Sequence, residues 1–214
     1  MRDPKWLQFL SRRLQWLAIP NVAILLITLQ AAGFLFTLMD PLWIDRLALI
    51  PEKVLQGEVW RLFTYLAIPL SFSPIWMVIA LWFFYFILNS IESEWGAFKT
   101  TFYILVSLVL TIVFSLLLGY PVMHGRDFVS TLFLAAATLF PNYEIRMYFI
   151  FPVKLKYLGW LTLLFLAMRL LQSNWVDRFF LTVLYSNYLL FFGPTLLFKM
   201  REWKRKRDFR SKWR

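Results

Sequence analysis

The sequence has no cysteine at all and a single histidine, His124. The first absence excludes disulfides, thiolate nucleophiles and cysteine-ligated metals, and the second leaves any metal centre to carboxylates. Those carboxylates are scattered rather than gathered in the apolar segments, so neither a metal nor a cofactor is expected. Charge is scarce too: 16% of the 214 residues are charged against 60% hydrophobic, and the mean hydropathy is +0.62. Soluble domains carry roughly a quarter of their residues as charges, so water alone is a poor medium for this chain. No small-residue cleavage site follows the opening stretch, where Asp3, Arg12 and Arg13 interrupt the apolar positions. A removed signal peptide is therefore not expected, and the first apolar run should stay in place.

What is present is a series of long uncharged runs, and a charge at mid-bilayer costs about 2.5 to 3.5 kcal/mol on the insertion scale. A spanning helix takes about 20 apolar residues, so a chain of this length has room for about six crossings. The run over residues 14–39 predicts a first span near 19–39, and the run over 62–91 predicts a second that becomes regular after Pro74. A third is expected near 101–118, ending at Gly119, Tyr120 and Pro121. Residues 153–171 form a fifth, with Lys156 and Arg169 near its ends, where long stems carry charge to the interfaces, and residues 179–198 form a sixth. Between the third and fifth, residues 128–140 make a helix of about 20 Å, too short to cross a bilayer unaided. Ala135, Ala136 and Ala137 suit it to a central, closely packed place.

Basic residues concentrate on the cytoplasmic side of membrane proteins. With both termini inside, 17 of the 23 basic residues fall in inner segments and 6 in outer loops, which favours an even number of spans. Nine of them stand in residues 199–214 with Trp203, Phe209 and Trp213 interleaved, a pattern suited to anionic headgroups. Nucleic-acid binding would use similar charge, but no recognition motif accompanies it, and none is expected. At the other end, Asp3 can cap a helix starting at Pro4 whose Trp6, Leu7, Leu10, Leu14 and Leu17 form one apolar stripe, as in a helix lying along a bilayer surface. The sequence thus predicts an all-α membrane protein in three parts: an interfacial amphipathic helix over residues 1–18, a six-helix transmembrane domain over 19–198 with a short central fourth helix, and a basic cytoplasmic tail over 199–214.

The first loop, residues 40–61, mixes four acids and three bases with Trp43, Leu47, Leu49, Val54 and Trp60. It is too apolar for a free linker and is expected to form a structured lobe, half inserted in the outer leaflet. Its end, Gly57, Glu58, Val59, Trp60, Arg61, Leu62, Phe63 and Thr64, resembles the G-x-x-W-R-x-x-T ending of the first loop in the rhomboid superfamily, which includes rhomboid proteases and derlins. Leu81 to Glu92, with Trp95 and Gly96, resembles the family's aromatic second helix ending in E-x-x-x-G, and Lys99 follows. Phe140, Pro141, Asn142 and the run from Phe149 to Lys156 are similar to the stretch joining spans four and five in bacterial rhomboids, which suggests an inner membrane. The resemblance covers roughly residues 20–198 and implies a rhomboid-like bundle. Independently of the family, Arg61 offers five donors able to tie off loop carbonyls, or serves with Trp60 as an interfacial anchor. Glu92 either accepts bonds from loop amides or is solvated.

The resemblance also says where proteolytic chemistry would sit: a serine in G-x-S-G at the start of helix four, a histidine in helix six, and a histidine and an asparagine in helix two at the oxyanion site. Here the segment at the serine is His124, Gly125, Arg126 and Asp127, the histidine's counterpart is Ser186 or Asn187, and the oxyanion positions fall near Trp76 and Ala80. Neither Ser186 nor Asn187 is a general base near neutral pH. Arg126 and Asp127 are expected to pair locally. The reading is a rhomboid-like protein without a catalytic residue, which binds or handles transmembrane client proteins as derlins and other rhomboid pseudoproteases do. Asn21, Gln30, Ser186 and Asn187 would bond to a client helix or within the bundle. The alternative is a divergent rhomboid intramembrane serine protease that pairs Ser130 with His124. A transporter or channel has little support, because no acidic or basic residue lies deep in spans one, three or six.

Overall fold

The computed structural model describes residues 5–147 and 151–212. Among the described residues the chain is mostly helical, with ten α-helices and one two-stranded hairpin: α1 (Lys5–Arg13), α2 (Val22–Met39), α3 (Trp43–Leu47), α4 (Pro51–Leu55), α5 (Arg61–Thr64), α6 (Pro74–Trp95), α7 (Ala97–Leu118), α8 (Arg126–Leu139), β1 (Glu144–Met147), β2 (Phe151–Lys154), α9 (Leu155–Gln172) and α10 (Trp175–Lys212). Five segments, built on α2, α6, α7, α9 and α10, are long and apolar enough to cross a membrane, as an all-α integral membrane protein requires.

The helix ends follow the local sequence. Pro74 occupies the first turn of α6, where its missing N–H costs nothing, and Gly119 stops α7 in the left-handed conformation. Gly96 joins α6 to α7 at φ +86°, a backbone state that a side chain would strain. α8 is 14 residues, about 21 Å, and its Thr131, Leu132, Ala135 and Ala136 are fully buried between α6, α9 and α10. Its small residues let neighbours approach: a Cβ on Gly159 of α9 would stand 2.8 Å from that of Ala137.

Contacts sort the loops into two ends. At one end, Leu49 of the first loop and Val122 of the α7–α8 loop exchange backbone hydrogen bonds of 3.2 and 2.9 Å, and Tyr120 of that same loop donates to Asp177 at the start of α10. At the other end, the Asn21 N–H donates to Glu92 Oε1 (2.7 Å), Thr101 exchanges bonds with Ile19, and Trp6 of α1 stands edge-on to Phe191 of α10.

The structure adds detail to several expectations. The apolar stripe of α1 does not all face lipid: Leu7 is fully buried in the bundle, which offers denser contact than acyl chains. The stretch after α8, to which the sequence assigns no conformation, is an antiparallel hairpin with Glu144 opposite Lys154, and these two side chains pair at 3.8 Å. The basic segment beyond the apolar stretch continues α10 as helix to Lys212. No glycine or proline follows Pro194 in α10, and the residues beyond the apolar stretch, rich in Lys and Arg, extend a helix already nucleated. The first loop folds as α3, α4 and α5, and buries Leu47, Ala48, Leu49 and Val54 against the bundle.

Candidate functional site

The first loop is held by Arg61. The residue is 2% exposed; Nε donates to Glu58 Oε2 (2.6 Å), and one terminal nitrogen donates to the carbonyls of Asp45 and of Ala48 (2.8 Å). A buried guanidinium needs both partners and charge balance, and this one has them. Thr64 adds a bond to the Leu47 carbonyl (3.2 Å), whereas Trp60 is exposed. On the outer side of the lobe Asp45 pairs with Lys53 at 2.6 Å; that hydrogen bond, against a small desolvation cost, holds the Asp45 carboxyl below its usual range. The lobe is tied to the bundle where α2 passes it: a Cβ on Gly33 would stand 1.8 Å from the Ala67 carbonyl oxygen, and Gln30 donates to the Leu66 carbonyl. At the opposite end of α6, Glu92 accepts a bond through Oε1, while its Oε2 and the Trp95 Nε1 are buried with no partner among the described residues.

The start of α8 carries the segment that the resemblance alone would set at a rhomboid protease's nucleophile. Here Gly125 leads into Arg126 and Asp127, and an acid in the first turn is favoured by the helix N-terminus. Asp127 does not pair with Arg126. It accepts a hydrogen bond from Arg169 near the end of α9, because the packing of α9 on α8 brings that guanidinium over the helix start, whereas Arg126 is exposed. Ser130, one turn along, donates to the Arg126 carbonyl (2.9 Å), and the Tyr185 hydroxyl of α10 interacts with it. His124 is exposed on the preceding loop and shares no hydrogen bond with Ser130 among the described residues. A serine nucleophile needs its base within about 3 Å. Next to this cluster Ser115 donates to the Tyr120 carbonyl (2.6 Å), and the Tyr120 hydroxyl donates to Asp177. Burial, and then this carboxylate, push the Tyr120 phenol up to about 12.

On α10, Ser186 is exposed and bonds back to the Val183 carbonyl (2.6 Å), while Asn187 is buried and donates through Nδ2 to the Tyr103 carbonyl (3.1 Å) and Ser107 Oγ (2.5 Å) of α7. Neither approaches α8 as a base would. Trp76 is exposed and Ala80 half-buried, with no amide or imidazole donor at either place. Of the two alternatives open to Gln30 and Asn187, their amide nitrogens take the bonds within the bundle, and among the described residues their buried Oε1 and Oδ1 have no partner. Among the described residues, no three His, Asp or Glu side chains converge to hold a metal.

Sequence reasoning missed how the polar groups pair. Tyr103, Ser107, Thr111 and Ser115 lie four apart on one face of α7, all buried. That spacing was a legible sign of a polar seam facing another helix. Tyr188, which shares a 2.6 Å hydrogen bond with Thr138 of α8, gave a weaker sign, because a tyrosine in an apolar span is equally at home at an interface. Comparisons of the chain with family models, with curated proteins and with solved structures found no match.

Proposed function

We propose that this chain is a rhomboid-like membrane protein without proteolytic activity, which binds transmembrane client proteins and governs their stability or turnover, as derlins do. The observation that carries this reading is the Asp127–Arg169 ion pair at the start of the short helix α8. It fills with fixed charge the place where a protease of this family needs a small, reactive serine, and the only histidine stands apart from Ser130. The resemblance of the first-loop ending and of Glu92 and Gly96 supports the scaffold, as does a central helix of about 21 Å ringed by longer ones. Such a helix is shorter than the hydrocarbon core of about 30 Å, so it cannot span it alone and depends on the longer helices around it.

In this reading the bundle has six membrane-embedded helices, the termini are cytoplasmic, the membrane is a bacterial inner membrane, and the basic end of α10 meets anionic headgroups. Two measurements test it. Purified protein treated with a serine-reactive fluorophosphonate should remain unlabelled; labelling lost in Ser130→Ala would replace the proposal with a divergent protease. In cells, deletion of the protein should change the half-life of some membrane proteins, and turnover that is unchanged across the membrane proteome would remove client handling.

A further inference from the structure

α9 is the least enclosed of the long helices. It packs along α8 but leaves a crevice of about 520 Å³ between α8, α9 and α10. Ala137 and Gly159 pinch its floor, Leu163 and Leu189 form its walls, and Trp160 and Lys156 stand at its rim. Trp160 is 71% exposed and Leu189 59%, so the crevice opens sideways, toward the surface that lipid covers in a membrane.

We propose that this crevice binds an anionic glycerophospholipid, with one acyl chain between α8, α9 and α10 and the phosphodiester at Lys156. The proposal rests on the membrane assignment and is independent of client handling. Size disfavours a helix seated inside it, because a helix about 10 Å across would fill 520 Å³ with little more than one turn. Chemistry excludes an extended peptide, whose amides would need partners, because the polar groups on the wall satisfy each other. The Thr138 hydroxyl bonds to Tyr188 (2.6 Å) and to the Leu134 carbonyl (2.9 Å). A hydrocarbon chain makes no such demand. From Lys156 to Leu163 the α9 face runs about 10 Å along the helix, long enough for a substantial part of an acyl chain. Lys156 has no carboxylate partner among the described residues. Its ammonium lies 4.9 Å from the centre of the Tyr157 ring, and the neighbouring Lys154 is the one paired with Glu144. A cation beside aromatic rings at the end of a spanning helix suits a lipid phosphate.

The test uses the full chain purified in mild detergent, with phosphatidylglycerol or phosphatidylcholine added, and counts bound lipid by native mass spectrometry. Wild type should hold phosphatidylglycerol more tightly than phosphatidylcholine. Lys156→Gln should weaken phosphatidylglycerol about fivefold, the loss expected for one basic group at an anionic headgroup. Leu163→Trp, or Leu189→Trp on the facing wall, should fill the crevice and abolish binding of both lipids, while Leu164→Trp, on a lipid-facing position outside it, should leave binding unchanged. Equal retention of the two lipids by wild type, or wild-type binding by both crevice-filling variants, would overturn the proposal.

Discussion

Arg61 and Gly33 show how much of the first loop rests on single residues. The Arg61 guanidinium serves two backbone carbonyls and the Glu58 carboxylate from a site that water hardly reaches. Lysine carries the charge without the planar fork, so Arg61→Lys should leave at least one carbonyl unpaired and cost about 1 to 3 kcal/mol. Arg61→Ala also strands Glu58 and should cost more. Both are read as a lower unfolding midpoint in detergent, followed by intrinsic tryptophan fluorescence. At Gly33 the Ala67 carbonyl is backbone and cannot swing aside, so Gly33→Ala should destabilise by about 1 to 3 kcal/mol, whereas Gly193→Ala, where a Cβ meets open space, should leave the midpoint within about 0.5 kcal/mol of wild type or raise it. Equal effects at the two glycines would remove the close approach of α2 to the lobe.

Between elements, two ion pairs act differently because their surroundings differ. Asp45–Lys53 joins α3 to α4 on an exposed face, with the Asp45 side chain 51% exposed. Its carboxyl is held below the ordinary value of about 3.9, so its stabilisation is complete above that value and is lost as pH falls through the lowered one. Solvent screening limits the effect to below about 1 kcal/mol. Asp45→Asn should therefore lower the midpoint slightly at pH 7 to 8, by the less than about 1 kcal/mol that the pair contributes, and converge with wild type as pH falls below about 4. Asp127–Arg169 joins α8 to α9, and the Asp127 side chain is only 15% exposed. Asp127→Asn should cost about 1 to 2 kcal/mol, and exchanging the two residues, Asp127→Arg with Arg169→Asp, should recover part of it. No recovery in the exchanged pair would mean that Asp127 acts through its place at the helix start rather than through Arg169.

At the scale of the whole molecule, the contacts that gather α1, the Asn21–Glu92 clasp and the middle of α10 at Phe191 at one end of the bundle lead to a topological prediction. Reporters fused at residue 1 and at residue 214 should give the same side, and a reporter inserted in the α7–α8 loop should give the other. Opposite readings for the termini would be incompatible with these contacts. The positions of the apolar segments, the break at Gly119 to Pro121, the regular start of a helix at Pro74 and the short fourth helix were all determined by the sequence alone. Hydropathy adds up along the chain, and proline and glycine act on their own backbone. Only the tertiary structure decided which polar groups meet. Asn187 finds Tyr103 across 84 positions and Arg169 finds Asp127 across 42, and the crevice beside Gly159 exists only where three helices fail to close. Such pairings follow from helix azimuth and crossing, which a one-dimensional pattern of apolar residues leaves free when every face is apolar.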